Sequence, residues 1–119
     1  MNFKSSEVTL IGVRPEALYM LPIIEKCFNF HQQELTITCT TLDHPQDDPH
    51  TRGFAVDCRT HGISVGVQAQ LTKQIQEALG HNYFVQNEFP GLPNEHIHCQ
   101  LRKDLWHSIV EKESIEVQV

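Results

Sequence analysis

Hydrophobic residues recur at helical spacing between Arg14 and Gln33, at Ala17, Leu18, Leu21, Ile24, Cys27 and Phe28. That spacing predicts an amphipathic helix with Pro15 in its first turn. Pro22 falls inside the pattern and has no N–H to give, so a kink or division is expected there. Glu34–Leu42 (ELTITCTTL) alternates and is rich in β-branched residues, which predicts a strand. Asp43–Arg52 is a polar loop with two prolines, and Gly53–Cys58 (GFAVDC) reads as a second strand. Val65–Leu79 predicts a second helix, its stripe formed by Val67, Leu71, Ile75, Ala78 and Leu79, with Gly80 at its C-terminal end. Asn82–Gln86 and Glu95–Leu101 read as strands on either side of a Pro- and Gly-containing loop over Glu88–Asn94. The tail begins as a short helix around Leu105, Ile109 and Val110. It ends in SIEVQV, which alternates like an edge strand or lacks fixed structure.

These elements do not alternate regularly. They predict one α+β domain over residues 1–119, with a small, mainly antiparallel sheet and helices on one face. The 119 residues carry 39% hydrophobic and 20% charged positions, which excludes wholesale disorder. The net charge of −6 and the lack of any basic run argue against a nucleic-acid partner. No apolar stretch is long enough to cross a membrane, and the N-terminus carries no secretory pattern, so synthesis in the cytoplasm is expected. Cysteines 27, 39, 58 and 99 match no structural zinc spacing, and buried free thiols in a reducing compartment are the expectation. Eight histidines in a chain this short raise the prospect of a metal site.

Two local patterns carry chemistry. In His50-Thr-Arg-Gly-Phe-Ala-Val-Asp57, Gly53 allows a tight turn into the strand, and Ala55 and Asp57 share one strand face. Val56 and Cys58 then point into the core. An aspartate in an apolar strand is costly unless it is paired or holds a metal, and His50 meets it if the turn folds back. The bland alternatives for Asp57 are a turn cap or a pair with Arg59. In Glu95-His-Ile-His98, His96 and His98 share a face and Glu95 stands at the strand entrance. Two histidines and one carboxylate are a standard ligand set for catalytic zinc.

The combination HxxGxAxD followed by ExxH resembles the zinc D-Ala-D-Ala peptidase family, which includes D,D-dipeptidases, carboxypeptidases, phage endolysins cutting L-Ala-D-Glu bonds and the hedgehog-type fold. The resemblance covers roughly Glu34–Leu101 and reproduces the family's order of elements. It implies His50, Asp57 and His98 as Zn2+ ligands and Glu95 as the catalytic base. It also implies a peptide substrate containing D-amino acids, such as a peptidoglycan stem peptide. Any action on a cell wall would then follow export by another route, such as lysis. Asp48 stands where the family usually has Ser, and His96 where an aromatic residue is usual. The strand end Thr40-Thr41-Leu42-Asp43 lacks the family's substrate-binding arginine. Arg52, His44 and His96 are therefore the candidates for contacting substrate. A zinc-stabilised binding or structural module on the same fold is the alternative. The sequence leaves the oligomeric state open, edge pairing through SIEVQV being one route to a dimer.

Overall fold

The computed structural model describes residues 1–41 and 47–118. His44 and the expected strand end at Leu42 lie outside the described residues. Five strands form one sheet in the order β1-β2-β3-β5-β4: β1 (Asn2–Phe3), β2 (Thr36–Cys39), β3 (Ala55–Arg59), β4 (Tyr83–Glu88) and β5 (His96–Leu101). The four longer strands match those expected from alternation, and their pairings are antiparallel. β1 was not anticipated, because two residues show no period. It runs parallel to β2, with Asn2 N–H donating to Leu35 O at 2.7 Å and Lys4 N–H to Ile37 O at 2.9 Å. The sheet is therefore mixed.

The helical stretch after Arg14 divides, but not at Pro22. α1 (Pro15–Leu18) ends before Tyr19, and α2 (Met20–Phe30) starts after it. Pro22 is thus the third residue of α2, in a first turn where an N–H has no intrahelical partner to lose. α3 (Val65–Leu79) has the bounds its periodicity predicts, with Ser64 accepting from Val67 N–H at its start. Ala17, Met20, Ile24 and Phe28 from α1 and α2, with Leu71, Ile75 and Leu79 from α3, pack on Ile37, Val56, Cys58, Val85, Ile97 and Cys99 of the sheet. Each fully buried aliphatic side chain of this kind contributes about 1.5–3 kcal/mol.

The tail is a correction to the sequence reading. α4 (Lys103–Gln118) takes in Ser114–Gln118 of SIEVQV, so those residues offer no strand for edge pairing, and Val119 lies outside the described residues. Long-range anchors decide this rather than the local alternation. Trp106 is buried and stacks on Phe54 with ring centroids 6.0 Å apart, beside Leu101. Further along, Glu113 takes two hydrogen bonds from the Arg14 guanidinium, which itself lies over the Phe54 ring. Trp106 is thus a core anchor. Among the described residues, no helix is long and apolar enough to cross a membrane.

Candidate metal site

With one sheet face given to the core, the alternate residues of β3 and β5 turn to the other. Asp57 and His98 lie directly opposite one another in the ladder, and Arg59 lies opposite His96. His50 reaches the same place from the turn before β3. That turn is closed by Gly53 N–H donating to His50 O at 3.0 Å and Phe54 N–H to Pro49 O at 2.8 Å. Gly53 has φ +84°, and a Cβ there would stand 2.2 Å from the Gly12 carbonyl oxygen, so only glycine fits. Asp48 holds the turn from the other side, its Oδ1 accepting from His50 N–H at 2.8 Å.

The three residues converge through one atom each. His50 Nε2 is 3.1 Å from Asp57 Oδ1, His98 Nδ1 is 2.9 Å from the same oxygen, and the two ring nitrogens are 3.2 Å apart. All three residues are buried, at 3%, 8% and 8% exposure for His50, Asp57 and His98, so a lone carboxylate here would be costly. Asp57 finds its partners in His50, His98 and, at 3.7 Å, His96 rather than in Arg59.

The outer ring nitrogens fix the tautomers. His50 Nδ1 is 2.8 Å from the Thr40 carbonyl oxygen, which can only accept, so Nδ1 carries the proton and Nε2 faces inward. His98 Nε2 is 2.7 Å from Gln100 Oε1, and the Gln100 amide is oriented by donating to Leu101 O at 3.0 Å. His98 Nδ1 is then the inward atom. Acceptors behind each histidine that aim a lone pair at a common point are the usual support of a metal ligand set.

Without metal, the cluster is held by charge. Burial acts most strongly on His50 and opposes its protonation. The bonds to Asp57 and Cys39 outweigh it and push the imidazole up to about 10. For Asp57, burial favours the neutral acid, but His50 and His98 outweigh it and hold the carboxyl well below the usual carboxylate range. His98 is likewise raised, burial opposing and Asp57 prevailing.

Cys39 corrects the expectation of buried thiols, being only half-buried. None of the four cysteines is disulfide-bonded, and Cys58 and Cys99 do lie in the core. Strict alternation would put Cys39 on the core face with Ile37. Instead Ile37 pairs with Cys58 and Cys39 with Asp57, so an irregularity at Thr38 turns Cys39 to the other face. Donor atoms of Cys39, His50 and Asp57 lie within 4.8 Å of one another, a group that could hold a metal ion.

Beside the cluster opens a cavity of about 390 Å³ lined by Asp57, Glu95, His96, Lys4, Arg59 and His61, among others. Glu95 Oε1 accepts from Gln68 Nε2 at 2.7 Å and from Thr60 Oγ1 at 3.3 Å. Gln68 is fully buried on α3, and its amide also donates to Ile63 O at 2.8 Å. The sequence reading missed it, although a glutamine three residues before Leu71 in an apolar stripe was the available signal. His96 Nε2 sits 3.1 Å from Glu88 Oε2, so Glu88 belongs to this rim. Arg52 does not line the cavity. Its carbonyl accepts from Arg14 Nε at 3.0 Å, and its own Nε is buried.

Comparison with protein-family models, with characterised proteins and with solved structures finds no match to the chain.

Proposed function

We propose that the protein is a zinc-dependent peptidase of the hedgehog/D-Ala-D-Ala-peptidase type, with His50, Asp57 and His98 as ligands and Glu95 as general base. The observation that carries this reading is the convergence of His50 Nε2, His98 Nδ1 and Asp57 Oδ1 within 3.2 Å of each other, beside a cavity that also holds Glu95. Two neutral imidazoles and a carboxylate suit zinc, which when bound would polarise a scissile carbonyl and acidify water.

The chain's own residues supply the rest. Gln68 and Thr60 fix one oxygen of Glu95, which supports a role for this carboxylate in taking a proton from attacking water and returning it to the leaving amine. Lys4 and Arg59 bring two cations to a cavity whose lining also carries the carboxylates of Asp57 and Glu95. In a chain of net charge −6, cations there favour a substrate bearing a carboxylate. Arg59 takes the role for which the sequence offered Arg52, and His96 stands at the rim as a further contact. The resemblance of HxxGxAxD and ExxH supplies the substrate class, a D-amino-acid-containing stem peptide.

The test is incubation of the zinc-loaded chain with D-Ala-D-Ala peptides and with purified peptidoglycan, with amine release as readout. Zinc-dependent release is expected. A chain that holds zinc and cleaves neither substrate is instead a zinc-stabilised binding module.

A further inference from the structure

The cluster contains one more donor than the peptidase reading uses. Resting on that reading's metal site, we infer that Cys39 is a fourth ligand, so that the resting centre is Cys39–His50–Asp57–His98, with no position left for water. Three observations meet in this. The register shift between Ile37 and Cys39 places Cys39 opposite Asp57, as His98 lies opposite Asp57 from the other neighbouring strand. Asp57 is therefore flanked by a donor on each side in the ladder, and His50 completes the group from the turn. A donor atom of Cys39 lies within 4.8 Å of those of both His50 and Asp57, close enough for a shared ion to draw them in. Finally, Cys58 and Cys99, the thiols nearest in the sheet, face the core, so the turning of Cys39 is particular to this position.

The chemistry follows from the donor set. On binding, the Cys39 S–H bond breaks, its proton passes to solvent and the sulfur lone pair forms the bond to the ion; no electron transfer is involved. A thiolate among the ligands selects zinc or cobalt over magnesium, calcium or manganese. Four protein ligands make a closed centre of the structural kind, so hydrolysis requires Cys39 to give up its place to substrate or water.

Cobalt substitution tests this without reference to activity. Wild-type chain loaded with Co2+ should show the intense near-ultraviolet thiolate-to-cobalt band. Cys39→Ala and Cys39→Ser should each lose the band yet still take up cobalt through the remaining ligands, at least about tenfold more weakly. Cys27→Ala should keep the band. Cobalt bound to wild type with no such band, or a band that survives in both Cys39 variants, overturns the inference and leaves the three-ligand site standing. A wild-type chain that takes up neither cobalt nor zinc overturns both. Circular dichroism of the variants separates loss of the ligand from loss of the fold.

Discussion

Asp57 and His98 face each other across β3 and β5, and the aspartate Oδ1 stands 2.9 Å from the histidine Nδ1. The pair places a carboxylate and an imidazole on the face of the sheet that the helices leave open, in a register the ladder itself fixes. His50 then joins from a turn that glycine alone can make. Without metal, protonated histidine and ionised aspartate satisfy one another. In the proposed metal centre the same atoms would serve as its donors.

This exchange gives the metal-free chain a distinct pH profile. His50 is raised from 6.5 to about 10, so its stabilising contribution is complete below pH 6.5 and is lost as pH climbs through 10. Asp57 is lowered from 3.8, so its contribution is complete above that value and is lost as pH falls below it. Stability in chelator should therefore peak between roughly pH 4 and 6.5. Zinc affinity should instead rise with pH, because metal competes with the protons on the histidines. Denaturant titrations across this range, with chelator and with zinc, check both trends. Asp57→Asn should flatten the metal-free profile.

Gly53→Ala should destabilise the fold by about 2 kcal/mol or more, through left-handed strain and collision with the backbone. The added Cβ would meet Gly12 O at 2.2 Å, and the turn that aims His50 would have to move. Zinc affinity should fall with it. Gly66→Ala is the contrast, since Gly66 lies in α3 and a Cβ there meets nothing within 4 Å. It should be neutral or add up to about 1 kcal/mol. Thermal melts of the two variants check the difference.

Much of this arrangement was legible in the sequence, for a reason tied to period. Ala55, Asp57, His96 and His98 sit on strands that keep strict alternation, so the face each takes follows from its position. Cys39 was not legible, because the irregularity at Thr38 breaks the period before it. Gln68 was hidden by its place in an apolar helical stripe. SIEVQV misled because its local alternation is overridden by Arg14 and Phe54, residues far away in the chain that hold α4 in place.

Glu95→Gln should keep both fold and zinc but lower peptide hydrolysis by at least about 100-fold, since the amide cannot take the proton. Gln68→Leu should keep zinc too, because Gln68 touches Glu95 and not the ligands. As a positioning residue it should lower kcat with KM little changed, a split that loss of packing alone would not give. Steady-state kinetics with metal analysis of both variants check this.

The most direct measurement is competitive zinc titration of the wild-type chain beside His98→Ala. One zinc per wild-type chain is expected, and His98→Ala should bind at least about 100-fold more weakly, a loss at or beyond that caused by removing a supporting residue. A wild-type chain that binds no zinc, or a His98→Ala chain that binds it undiminished, would contradict a metal centre built on His50, Asp57 and His98.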